Sequence, residues 1–141
     1  MGCSYPIRHI PIAQLGYRWE WGSPAAGLSP TNERWYPVVE YHLRAGLYPK
    51  DQRSAQHQYD QVWPVAKSYL RLGRFVNHLI VYLVHEDRYI VMVGNRRLCA
   101  AKAYGIETLN CLITTEWNDP QALSYLPYEN VKEYDPLYTH R

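Results

Sequence analysis

Phenylalanine is almost missing from this chain, with one residue among 141 against fourteen tyrosines and five tryptophans. The rings therefore carry polar tips, which suits half-buried positions and interfaces better than a dry core. Packing in a core or interface is the first reading of these rings, and stacking on bases the second. Charge of one sign is also lacking: the formal net charge of +2 is too small to predict nucleic-acid binding by itself. No run of eighteen apolar residues exists, which excludes a membrane-spanning helix. The N-terminus has no basic stretch leading into an apolar segment, so no signal peptide is expected. Cys3, Cys99 and Cys111 are odd in number and widely spaced. Reduced thiols in a cytoplasmic protein are the simplest account, since nothing pairs them for a disulfide or a metal. A chain of this length forms one domain with a real core.

What is present concentrates in Tyr89 to Ile106. An apolar run, Tyr89-Ile-Val-Met-Val93, leads into Gly94-Asn95 and then a helix with Arg96 and Arg97 in its first turn. Cations sit unfavourably at the positive end of a helix dipole, by about 0.3–1 kcal/mol each. Backbone N–H groups and two guanidinium forks converging there describe an anion site instead. Gly94 would let the backbone approach a ligand, and Asn95 would cap the helix. A capped surface helix with solvated arginines accounts for the same residues, and local physics leaves both readings open.

Elsewhere the pattern predicts an α/β (α+β) domain, a small mixed sheet flanked by helices. Tyr5 to Leu15 reads as an edge strand, its prolines unsuited to a central one. Residues 16–31 read as a loop carrying Trp19 and Trp21. A helix follows with Pro37 in its first turn and Gly46 past its end. Its apolar face holds Trp35, Val38, Val39, His42 and Leu43, with His42 a satisfied boundary residue. Asp60 is expected to cap a second helix running to Leu72, which would place Pro64 in a tolerant first turn. Leu79–Val84 and Tyr89–Val93 form a hairpin across His85-Glu86-Asp87-Arg88, a solvated turn rather than a metal site. A strand over 108–113 after the Arg-bearing helix implies at least one parallel pairing. Asp119 caps a last short helix that begins at Pro120.

Val93-Gly94-Asn95-Arg96-Arg97-Leu98-Cys99-Ala100-Ala101-Lys102, followed by Gly105-Ile-Glu-Thr108-Leu109, resembles the ParB N-terminal domain and its sulfiredoxin relatives. Leu123-Ser-Tyr-Leu-Pro-Tyr-Glu129-Asn130-Val131 is similar to that superfamily's later Glu-Asn segment. Leu47-Tyr-Pro49-Lys-Asp-Gln-Arg53 is similar to its opening box, and Gly73 to Val81 to the run that follows. The resemblance spans about residues 47–137 and leaves an aromatic-rich elaboration at about 16–46. It implies a stand-alone ParB/sulfiredoxin-like domain, since the match stops where a helix-turn-helix and a dimerisation tail would begin. It further implies CTP or ATP bound with Mg²⁺, with Gly94, Asn95, Arg96, Arg97 and Arg53 on phosphates and Glu129 and Asn130 on the metal. A phage or mobile-element origin and an association with DNA are implied in the same way.

Asn95 departs from that pattern, standing where the superfamily has glutamate or, in sulfiredoxins, the reactive cysteine. Sulfinic-acid reduction is therefore not expected, and neither is efficient hydrolysis, because a neutral amide is no general base. Three function classes follow: a nucleotide-dependent switch with weak NTPase activity, a ParB-like nuclease or phosphotransferase, or a catalytically silent module that contacts DNA or protein. Trp19, Trp21 and Trp35 are the expected contact surface, for a partner protein or for self-association.

Overall fold

The computed structural model describes residues 5–20, 23–24, 35–50, 52–75 and 77–124. Their architecture is the expected α/β arrangement, a mixed sheet with helices packed on it. The strands are β1 (Ile7–Pro11), β2 (Leu15–Gly16), β3 (Leu79–His85), β4 (Arg88–Val93) and β5 (Thr108–Thr114). The helices are α1 (Tyr36–Ala45), α2 (Arg53–Leu72), α3 (Asn95–Ala103) and α4 (Pro120–Leu123). Strand order is β1-β5-β3-β4-β2.

That order forces the sheet to curl. β1 and β2 are opposite edges, yet only the 3₁₀ turn Ile12–Gln14 separates them. Four residues reach about 14 Å at most, whereas four strand spacings in a flat sheet span about 19 Å. The edges must therefore bend toward each other, and the Ile12 N–H, donating to the Glu107 carbonyl at 2.9 Å, continues the β1–β5 pairing into the turn. The predicted edge strand is real but splits in two, one piece on each edge.

β3 lies in the centre and is buried on both faces at Leu79, Ile80 and Val81. Leu79, Val81, Val91, Leu109, Cys111 and Ile113 face the layer formed by α1, α2 and α3. Ile80, Met92 and Leu112 face the other way, onto Ala122 of α4 and Trp117. The parallel pairing expected from strand, helix and strand is present. It joins β5 to β3, because β3 is inserted between β4 and β5.

α3 has buried side chains at Leu98, Cys99, Ala100, Ala101 and Ala103, nearly all round its axis. It sits between α1, α2 and the sheet, and its small residues allow all three to approach. α1 matches its prediction, from Pro37 in the first turn to Gly46 at φ 69°. His42 is the expected satisfied residue, its Nδ1 3.0 Å from the Leu47 carbonyl.

α2 differs from the expectation. It begins at Arg53 rather than near Asp60, and Pro64 lies in its interior. Ala55, Gln58, Val62, Val65 and Ala66 continue one buried stripe upstream through Asp60. Burial of that stripe outweighs the capping preference of one aspartate. Asp60 accepts instead from the Tyr48 hydroxyl, at 3.2 Å. The hairpin is tighter than expected: His85 pairs with Arg88, leaving Glu86 and Asp87 as the turn, with Glu86 at φ 26°.

Candidate functional site

β4 ends at Val93 and α3 begins two residues later, so Gly94 must reverse the chain. It does so at φ 111°, a conformation open to glycine at little cost. Space is equally restrictive, because a Cβ at Gly94 would lie 2.7 Å from Leu79 Cγ and 3.2 Å from Arg97 Nη1. The close approach read from the sequence is thus one to Leu79 and Arg97, on the side where a Cβ would project.

Gly94 itself occupies the N-cap position, and no side chain caps α3. Capping by Asn95 is corrected here: Asn95 is the first helical residue. Its Nδ2 donates to the Val91 carbonyl at 3.0 Å, and its Oδ1 accepts the Arg18 backbone N–H at 3.0 Å. One amide thereby ties the end of β4 to the turn that follows β2. A carboxylate could accept from Arg18 but could not donate to Val91, so this corner selects asparagine over glutamate.

The turn after β2 is fixed at three further points. Tyr17 N–H donates to Glu20 Oε1 at 2.7 Å. The Tyr17 hydroxyl donates to the Glu40 carboxylate. Its ring stacks on Trp19 with centroids 5.0 Å apart, beside Tyr36 at 5.2 Å, with Lys102 Nζ 4.5 Å from the ring centre. Burial drives the Tyr17 hydroxyl pKa far upward, so it stays protonated and donates. The sequence reading missed Arg18, whose backbone N–H reaches this corner; a backbone donor leaves no signal in side-chain identity.

Arg96 is exposed, while Arg97 is half-buried with Nη1 3.4 Å from the His78 carbonyl at the entrance to β3. The structure brings Gly94, Asn95, Arg96 and Arg97 together on one turn. Arg53 is on another element, exposed at the first position of α2. Glu129, Asn130 and Trp21 lie outside the described residues. Among the described residues, no group of three His, Cys, Asp or Glu side chains is placed to hold a metal. A cavity of about 490 Å³ opens at the far end of α3, lined by Ile12, Leu15, Lys102, Ile106 and Glu107. It is distinct from the Gly94 turn.

The two described cysteines are poor nucleophiles. Cys99 is fully buried with Sγ 3.6 Å from the Tyr36 carbonyl, and burial pushes its thiol pKa well above the ordinary value. Burial also pushes Cys111 up to about 12. Of the expected aromatic contact residues, Trp19 belongs to the core stack and Trp35 is half-buried; among the described residues the exposed rings are Tyr41, Tyr48 and Trp63. No helix among the described residues is long and apolar enough to cross a membrane.

No protein-family model matches the chain, and no curated protein matches it. One similar solved structure is the C-terminally truncated chromosome-partitioning protein ParB from Caulobacter crescentus, complexed with CTP-γ-S. The two are 18% identical, with a TM-score of 0.46 over 92% of this chain and 55% of that one. This chain therefore spans about half the length of that ParB chain.

Proposed function

We propose that this chain is a nucleotide-binding domain whose phosphate site is the Gly94–Arg97 turn, and that it binds without efficient hydrolysis. The observation that carries the proposal is the start of α3, where no side chain caps the helix. The first intrahelical bond there runs from Leu98 N–H to the Gly94 carbonyl. The N–H groups of residues 95–97 precede that bond and point out of the helix end, with the Arg96 and Arg97 guanidinium groups on the same turn. Arg96 is exposed on this turn, and Arg97 lies beside it with one guanidinium nitrogen on the His78 carbonyl, so the helix N–H groups and the arginines together favour phosphate oxygens over a cation. The motif resemblance makes the ligand CTP or ATP, with Arg53 a further phosphate contact and Mg²⁺ held by Glu129 and Asn130.

Asn95 supports binding over turnover. Its amide is engaged in both directions between Val91 and Arg18, so it positions the turn and offers neither a base nor a charged metal ligand. The decisive experiment is a thermal-shift screen of CTP, ATP and inorganic triphosphate with and without Mg²⁺. A ligand at a hundred times its dissociation constant adds about 2.7 kcal/mol. Arg97→Ala should remove about 1.5–3 kcal/mol of that binding, the range for hydrogen bonds to charged groups. Equal affinity of both proteins for every phosphate ligand refutes the site, and rapid turnover by the wild type refutes the binding-only reading.

A further inference from the structure

The charge of this chain is unevenly placed. Residues 44–74 hold six Lys or Arg against two Asp or Glu, a net +4 that exceeds the +2 of the whole chain. Most of this stretch is α2, twenty residues long. Its inner stripe is buried, and its outer face carries a rail of apolar groups. Tyr48 packs edge-on against Tyr59, with centroids 5.2 Å apart, and Tyr59 stacks on Trp63 at 6.1 Å. Trp63 remains 38% exposed and Leu70 56%. Seven residues bring the helix back to the same face about 10 Å further along, so Leu70 extends the rail beyond Trp63. Lys67 projects from this face between them, and Arg53 and Arg74 stand exposed at its two ends.

We infer that the outer face of α2 binds single-stranded nucleic acid, with phosphates against the cations and a base stacked on Trp63. Charge complementarity selects this occupant. The exposed cations along this helix, Arg53, Lys67 and Arg74, outnumber the exposed Asp60 beside Tyr48, so a second copy of the chain would set like charge against like, which is repulsive. A duplex keeps its base faces stacked inside and offers the rings only edges and backbone. A single strand presents phosphates and open base faces together, the combination that cationic grooves with aromatic platforms recognise. The near-neutral charge of the whole chain conceals this face, because the remaining residues are net acidic.

The inference is independent of the phosphate site at Gly94–Arg97, and one titration separates them. Fluorescence anisotropy with a labelled oligothymidine of about 16 nucleotides should show binding that weakens as salt rises from about 50 to 200 mM. Trp63→Ala should weaken it about tenfold, within the range for one stacked base. Lys67→Ala, on an exposed side chain, should flatten the salt slope by about 0.7, a change that misfolding would not produce. Arg97→Ala should leave the oligonucleotide affinity unchanged. Absence of binding at the lowest salt overturns the inference, as does wild-type affinity in both α2 variants. It is also overturned by a twofold solution mass that Trp63→Ala reduces to one chain, or by equal or tighter binding of the matching duplex.

Discussion

Replacing Asn95 with aspartate tests whether this residue is an architectural clamp. The two side chains have the same size, so only the chemistry of one atom changes. Nδ2, which donates to the Val91 carbonyl at 3.0 Å, becomes an oxygen that faces another oxygen. The acceptor for the Arg18 N–H, also at 3.0 Å, survives. Losing one donor to a part-buried carbonyl costs about 1–3 kcal/mol, and oxygen–oxygen repulsion places the result in the upper half of that range. For a domain of this length the melting temperature falls by about 4 °C per kcal/mol, hence by about 8–12 °C at neutral pH. The sign of the pH dependence is fixed by the same geometry. A protonated aspartic acid can donate to Val91, so the gap between variant and wild type should close as pH falls through the carboxylate range. Thermal denaturation of both proteins over that range, followed by circular dichroism, measures it. Equal melting temperatures at neutral pH, or a gap that ignores pH, would show that the amide is not the clamp. Asn95→Glu should be similarly destabilised and should gain no NTP turnover, because the longer carboxylate also lacks the donor.

Two further outcomes rest on the backbone and on one carboxylate. Gly94→Ala should cost about 2–4 kcal/mol in urea denaturation, combining left-handed strain with overpacking against Leu79. Gly46→Ala, at φ 69° with nothing within 4 Å of a Cβ, should cost only the strain of about 1–2 kcal/mol, and equal losses at both sites would refute the packing argument. Asp119 accepts from the Tyr5 and Thr114 hydroxyls at 2.7 and 2.9 Å, and these bonds, Tyr5 foremost, hold its carboxyl below the ordinary value. A depressed folded pKa stabilises above the unfolded value and loses that contribution as pH falls through the folded one. Tyr5→Phe should therefore raise the Asp119 pKa toward the ordinary value in an NMR titration; an unchanged pKa would rule out the Tyr5 bond as its main cause.

Periodic and punctuated elements of this fold were legible from sequence because their signals are local. Pro37 and Gly46 bracket α1 and Asp119-Pro120 opens α4, each by chain stereochemistry that needs no tertiary partner. The Asp119 carboxylate accepts from the Gln121 and Ala122 N–H groups as a cap should. The start of α2 was also available, since Ala55, Gln58, Val62 and Ala66 recur at helical spacing, but Asp60 presented a competing local stop. A cap contributes about 1 kcal/mol, and two extra turns of buried stripe contribute more. The curl of the sheet had no local signature. It follows from β1 and β2 lying on opposite edges across three residues, a fact of strand order alone.

The candidate site divides along the same line. Gly94 and the two arginines are readable because a glycine before a helix and cations at its positive end are anomalies of the chain itself. The role of Asn95 is not, because its partner Arg18 is 77 residues away and contributes a backbone N–H that any residue could supply. Side-chain identity therefore carried no trace of the pairing. The aromatic residues make the same point in reverse. Trp19 and Trp63 are the same residue type in equally polar surroundings, and composition leaves both open to core or interface. Trp19 is drawn inward because Tyr17, fixed by Glu40 and flanked by Tyr36, offers it a ring to stack on. Trp63 stacks on Tyr59 and remains 38% exposed. Which tryptophan stays exposed is decided by what the fold brings beside it: Tyr36 and Glu40 close in around the Tyr17–Trp19 stack, while Trp63 on α2 keeps its exposure.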